Sequence, residues 1–326
     1  MRAHVAIRTR KLNLSITFKA SLSMLSVFLT VVLPTFLVAC LGAGLQRWRK
    51  LAVGSLGPLT LYLLSPALMV ESLMGAQITA SDAGKIIFAS VATVLCLIAL
   101  GTLVSIVTRL PRAAQSAFLL STAFPNAGNM GFPVAFLAFG REGLAVAAVV
   151  FAVQSVLGWT LGIYVAARSE NTGLAPFLQV IKLPTIYAVV IALAFRMTDV
   201  QAPFAIQTAI ELLASAAIPC MLIVLGFQIA QGISIDRWWA LFTATALRLV
   251  GSALIAFVFT ELSNLHGAAQ QTVIVVAAMP TAVFTTLLAS EFKAEPRFVT
   301  SAVVTSTVAS MGTLTVLVTI LQRHLA

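Results

Sequence analysis

Two short stretches of this chain combine helix-breaking residues with neutral hydrogen-bonding groups, and ligand chemistry is most readily placed there. The first reads Phe124-Pro125-Asn126-Ala127-Gly128-Asn129-Met130-Gly131-Phe132-Pro133 and lies inside a long apolar run. Pro125 and Pro133 each remove a backbone donor and clash with the preceding turn, while Gly128 and Gly131 permit unwinding. A half-helix resuming near Gly131 would present free N–H groups and the positive end of its dipole, which suits an anion. Asn126 and Asn129 add amides that can donate to a carboxylate without burying a charge. The bland alternative is a proline kink whose freed groups bond to neighbouring helices; two asparagines at one break favour a binding role.

The second stretch is Met279-Pro280-Thr281-Ala282-Val283-Phe284-Thr285-Thr286, with its proline near the middle of another apolar run. Hydroxyls replace amides here. Because Thr hydroxyls often bond back to helix carbonyls, Thr281, Thr285 and Thr286 weigh little singly. As a mirror of the first break, the segment places Thr281 and Val283 beside Asn126, Gly128, Asn129 and Gly131 as substrate-binding candidates.

Charges inside apolar runs are few: Glu71, Glu211, Glu261 and Arg248. Arg248 is about ten residues, roughly 15 Å, into its run at 1.5 Å per residue. It could pair with an acid, draw anions inward, or snorkel to an interface. Gln154, in mid-run, fits a cavity wall or an interhelical hydrogen bond. Gln154 and Arg248 together form a candidate supporting polar site. Cys40, Cys96 and Cys220 lie in apolar stretches without ligand spacing, and His4, His266 and His324 fall at termini or in a connection. Metal, redox and cofactor chemistry therefore has no candidate residues, and neither does a membrane-embedded enzyme.

The elements that must hold these groups follow from composition. Of 326 residues 60% are hydrophobic and 9% charged, with mean hydropathy +1.03, whereas soluble domains average about 25% charged. So few charges cannot cover a soluble fold. The long continuous runs also differ from the alternating segments of a β-barrel. Apolar runs fall near 22–45, 53–75, 85–108, 113–139, 142–167, 174–196, 203–231, 238–262, 268–291 and 298–322. At about 20 apolar residues per span, this is an all-α polytopic membrane protein with about ten transmembrane helices. Unwound backbone in a bilayer is tolerated only against protein or a water-filled cavity, so the fourth run should line one. No nucleotide-binding loop is present, which rules out ATP-driven transport by this chain alone.

The net charge of +10 is not a nucleic-acid signature, because the 20 Lys and Arg are scattered at the ends of apolar runs. Connections after the odd-numbered runs carry Arg47, Arg49, Lys50, Arg109, Arg112, Arg168, Lys182, Arg237, Lys293 and Arg297; the other side carries Lys85, Arg141, Arg196 and Arg323. Ten against four places both termini outside and the odd connections in the cytoplasm of a multi-pass inner-membrane protein. This count omits residues 1–23, which hold five basic residues and no acid. They read as a basic tail, a signal peptide, or a stretch ahead of a start at Met24, and their mismatch with the rest favours the last.

Prolines recur at matching places in two halves. Pro34 and Pro184 are 150 residues apart, Pro66 and Pro219 153, Pro125 and Pro280 155. Two five-span repeats follow, residues 24–167 and 174–322, joined around a short connection at 168–180. An odd number of spans per repeat inverts the second in the membrane. Secondary carriers of this design bind substrate where corresponding interrupted helices meet.

Several of these motifs resemble the auxin efflux carrier family, whose bacterial members include malate and malonate permeases and whose plant members export auxin. The stretches are Leu33-Pro34-Thr35-Phe36-Leu37 through Gly42, Leu64-Ser65-Pro66-Ala67-Leu68, and Pro125 through Pro133 with Phe139-Gly140. Others are Val153-Gln154 with Trp159-Thr160-Leu161, Ala217-Ile218-Pro219 with Leu225-Gly226, and Met279-Pro280 with Leu288-Ala289. The resemblance covers about 24–322. It implies two inverted five-helix repeats whose broken helices 4 and 9 cross at Pro125 and Pro280. It further implies Asn126 as carboxylate ligand, Gln154 in a supporting site, a scaffold of spans 1, 2, 6 and 7 that often serves as a homodimer surface, and elevator movement of the other six. The long loop of the plant exporters is missing, which weakens auxin as the substrate. The expected function is secondary transport of a small carboxylate such as malate or malonate, with H+ or Na+ as coupling ion. A sodium-coupled carrier of the bile-acid symporter type is the alternative.

Overall fold

The computed structural model describes residues 23–49, 53–168, 184–198, 203–233 and 237–324. Expectations placed on the basic tail through residue 22, on 169–180, and on Lys50 and Lys182 lie outside the described residues. Among those described there is no β-strand, only one isolated bridge between Pro125 and Thr281. The helices are α1 (Ser23–Arg49), α2 (Leu56–Met74), α3 (Ala80–Val107), α4 (Arg112–Ala123), α5 (Ala127–Ala167) and α6 (Pro184–Thr198). They continue with α7 (Phe204–Ile229), α8 (Trp238–Leu262), α9 (Gly267–Ala277), α10 (Phe284–Glu291) and α11 (Pro296–His324).

These account for ten apolar runs. Helices α1, α2, α3, α5, α7, α8 and α11 are each long and apolar enough to cross a membrane. Helix α5 bends back at Gly140, whose φ of 65° and ψ of −151° lie in a region essentially confined to glycine. The half-helix before Gly140 completes the fourth run together with α4; the part after it is the fifth. The ninth run is likewise divided into α9 and α10.

Three prolines inside these helices are accommodated by widening the backbone. A proline ring meets the carbonyl four residues earlier. For Pro34, Pro66 and Pro133 that residue lies in a π-turn, at Phe28–Val32, Thr60–Leu64 and Ala127–Gly131. Each helix therefore continues through its proline. One expectation is corrected here: the half-helix of the fourth run restarts at Ala127, not near Gly131. Asn126 caps it, accepting the Asn129 N–H on Oδ1 at 3.2 Å, and the π-turn absorbs Pro133.

Packing follows the two-fold relation of the halves. Helix α1 packs along α7 and α2 along α6, two pairs that interchange when the first run is mapped onto the sixth and the second onto the seventh. The contacts of α3 with α4 and of α8 with α9 interchange in the same way. The α1–α7 approach is close enough that a Cβ on Gly226 would stand 1.9 Å from the Ala39 carbonyl oxygen. Three of the four buried apolar clusters among the described residues meet at the two breaks: one contains Ala127 and Phe132, another Met130 and Met279, the third Phe124 and Ala282.

Candidate functional site

At the two breaks the backbones cross and satisfy one another. The Asn126 N–H donates to the Pro280 carbonyl at 2.7 Å, and the Ala282 N–H donates to the Phe124 carbonyl at 2.9 Å. Interrupted helices leave terminal N–H and C=O groups without intrahelical partners, and here each break supplies the other. Thr281 fastens the crossing from within. It is fully buried, its N–H donates to Ser306 Oγ at 3.0 Å, and its hydroxyl donates to the Ser121 carbonyl at 2.8 Å.

Beside the crossing lies a cavity of about 430 Å³. The crossing contributes Pro125, Asn126, Ala127, Gly128 and Asn129 on one side and Ala282, Val283, Phe284, Thr286 and Leu287 on the other. Helix α5 adds Phe151, Gln154, Ser155 and Trp159, α2 adds Thr60, Leu61, Tyr62 and Ser65, and α7 adds Val224 and Gln228. Two half-helix N-termini, those of α5 and α10, thus border one space, and each carries about half a positive charge. Among the described residues no charged side chain lines it. Trp159 and Phe284 stack with ring centres 6.1 Å apart, giving an apolar wall.

Polar groups in this wall are short of partners. Asn126 Nδ2, Gln154 Oε1 and Gln228 Oε1 are buried and make no hydrogen bond, although burying such a group unpaired costs about 1–3 kcal/mol. Since Asn126 Oδ1 is committed to its cap, Nδ2 is the spare donor of a residue that lines the cavity. Thr285 and Thr286 donate their hydroxyls back to the Ala282 and Val283 carbonyls at 2.5 and 2.8 Å.

The structure therefore sorts the sequence candidates. Pro125, Asn126, Gly128, Asn129, Val283 and Gln154 border the cavity; Gly131, Thr281, Pro133 and Pro280 do not. Gly131 instead closes the π-turn, donating to the Asn126 carbonyl at 3.0 Å. The grouping of Arg248 with Gln154 is corrected. Arg248 is fully buried outside the cavity lining, donating from Nη1 to the Thr122 carbonyl at 2.9 Å and from Nη2 to the Ala277 carbonyl. Gln228, Thr60 and Ser65 were not site candidates in the sequence. Gln228 is one of three amides in its run, with Gln207 and Gln231, and lies in a helix with no break beside it, so nothing local singles it out.

Residues 27–318 match the family described as membrane transport protein. An uncharacterized transporter of Methanocaldococcus jannaschii is 27% identical over 199 residues, 59% of this chain and 64% of that protein. An uncharacterized transporter of Methanothermobacter thermautotrophicus is 26% identical over 60% of this chain and 64% of its own length. A Rhizobium meliloti protein, provisionally named a malonate transporter, is 25% identical over 61% of this chain and 66% of its own. The matched region is thus just under two thirds of each relative.

Proposed function

The chain belongs to the membrane transport protein family, the auxin efflux carriers, and on that premise we propose that it is a secondary carrier of small organic anions that holds a carboxylate at the crossing. One observation carries this reading: Asn126, whose Nδ2 donor is buried and unpartnered, lines a cavity that two half-helix N-termini border and that no charged side chain among the described residues lines. Donors and partial positive charge without a resident anion are complementary to a carboxylate. The name of the Rhizobium meliloti relative supports malonate as one substrate. The two N-termini together match about one negative charge, so a monocarboxylate, or a dicarboxylate carrying one proton, fits better than a dianion.

The cavity lies between α2 and α7 on one side and the crossing on the other. In the proposed transport cycle α1, α2, α6 and α7 form a static scaffold, with a homodimer surface on it, and the crossing slides past them to expose the site alternately. A second reading, sodium coupling of the bile-acid symporter type, is favoured by the unpartnered Gln154 and Gln228 oxygens, since hard cations take oxygen ligands.

Asn126→Asp tests the anion reading. Aspartate keeps the N-cap but loses the donor and sets a negative charge against the substrate. Losing a hydrogen bond to a charged group costs about 1.5–3 kcal/mol, roughly ten- to hundredfold in affinity. Reconstituted in liposomes and offered labelled malonate, malate and monocarboxylates with and without H+ and Na+ gradients, the variant should bind at least that much more weakly. Normal transport by Asn126→Asp at neutral pH would sink the reading in favour of a neutral or cationic substrate.

A further inference from the structure

Arg248 lies in mid-helix and fully buried, yet no carboxylate among the described residues lies within 4.0 Å of it. A buried charge needs compensation, and here the partners are two backbone carbonyls, those of Thr122 and Ala277. The two occupy equivalent positions, 155 residues apart, the same separation as Pro125 and Pro280. Each is orphaned for the same reason. The residue three positions on is a proline without an N–H, and the residue four positions on spends its N–H elsewhere, Asn126 on Pro280 and Thr281 on Ser306 Oγ. Thr122 and Ala277 stand at the C-terminal ends of α4 and α9. One arginine from α8 thus holds the negative ends of both broken helices.

We infer that Arg248 is the positioning residue that makes the crossing selective for anions: it binds the C-terminal ends of both broken helices and cancels their negative potential. Each C-terminal end carries about half a negative charge and each N-terminal end about half a positive one. The guanidinium charge balances the two C-termini, leaving about one positive charge at the two N-termini beside the cavity. Without it the four helix ends sum to about zero, and the crossing has little preference between an anion and a neutral isostere. Arg248 touches no substrate in this scheme, and the inference rests on the anion reading above.

The test compares a carboxylate with its neutral amide. Wild-type protein, Arg248→Gln and Arg248→Lys are reconstituted in proteoliposomes, checked for monodispersity and melting temperature, and offered labelled butyrate against butyramide, phenylacetate against phenylacetamide, and malonate. Wild-type protein should favour each acid over its amide. Arg248→Gln should lose at least about tenfold of that preference, the scale of a partly buried helix-end interaction, with amide uptake reduced less. Arg248→Lys keeps the charge and should keep the preference even if total uptake falls. A purely structural role would lower acid and amide uptake together. Wild-type selectivity retained in folded Arg248→Gln overturns the inference, and so does selectivity lost in folded Arg248→Lys, which decides the matter if the glutamine variant does not fold. If wild-type protein moves none of these acids, or moves amides equally well, the anion reading fails and this inference falls with it.

Discussion

The amide of Asn126 has two ends with separate duties. Oδ1 accepts the Asn129 N–H and starts the half-helix of α5, while Nδ2 is buried without a partner in a residue that lines the cavity. Substitutions should therefore separate stability from binding. Asn126→Ala loses both and should unfold at lower temperature, since removing such a cap costs about 0.5–2 kcal/mol, whereas Asn126→Asp should melt near wild type while failing to bind. Differential scanning fluorimetry beside the transport assay reads the two effects apart; equal melting of the alanine and wild-type proteins would show the cap to be idle. Gln228 gives the reverse pattern. Its Oε1 is buried without a partner, so Gln228→Leu should raise the melting temperature while weakening transport, and a variant less stable than wild type would show that the amide supports the fold. Asn126 was legible in the sequence because amides, glycines and prolines crowd one apolar run. The internal role of Thr281 was not, because its hydroxyl acceptor, the Ser121 carbonyl, is 160 residues away in sequence, and nothing local marks which side of the crossing a hydroxyl faces.

Among the elements, the prolines and glycines decide where a helix bends, widens or breaks. Pro34, Pro66 and Pro133 are carried through by π-turns, whereas Pro125 and Pro280 sit in true breaks because the opposite backbone supplies the missing bonds. The sequence shows all five of these prolines in apolar runs and cannot distinguish the two outcomes, since the difference lies in a strand of chain from the other half. It also gives no warning of the π-turns at Gly158–Gly162 and Leu247–Gly251, which have no proline above them. Two glycines are harder requirements. Gly140→Ala forces a side chain into a conformation that costs about 1–3 kcal/mol and should loosen the hairpin in α5, measurable as faster amide exchange around residues 136–144. Gly226→Ala would drive its Cβ into the α1 backbone, while a Cβ on Gly44 meets nothing within 4 Å. Gly226→Ala should lower the melting temperature by several degrees and Gly44→Ala should leave it unchanged; equal melting of both would mean that α1 and α7 can separate freely.

Across the whole molecule, contacts between connections sort the helix ends onto two faces. Arg237 pairs with Glu295 at 2.5 Å, joining the connections after the seventh and ninth runs. On the other face Lys85 donates to the Asn264 carbonyl at 3.1 Å, Arg141 pairs with Glu71 at 3.8 Å, and Arg323 near the C-terminus donates to Ser23 at the start of α1. Alternation of the ten runs requires this sorting, and proline spacing and connection order are both properties of the linear sequence. Which face meets the cytoplasm depends on the basic residues. By that alternation the first face carries Arg47, Arg49, Arg109, Arg112, Arg168, Arg237, Lys293 and Arg297, and the second Lys85, Arg141 and Arg323. Positive residues are retained on the cytoplasmic side, so the first face should be inside. In a background with Cys40, Cys96 and Cys220 replaced by alanine, single cysteines at the exposed positions Gln77 and Thr108 flank α3. An impermeant maleimide added to intact cells should label Gln77→Cys and reach Thr108→Cys only after the membrane is opened. The reverse pattern would turn the whole molecule over, with the crossing and its Arg248 clamp intact. Labelling of both sites from outside would show that α3 does not cross the membrane, and the alternation of ten runs would then fail.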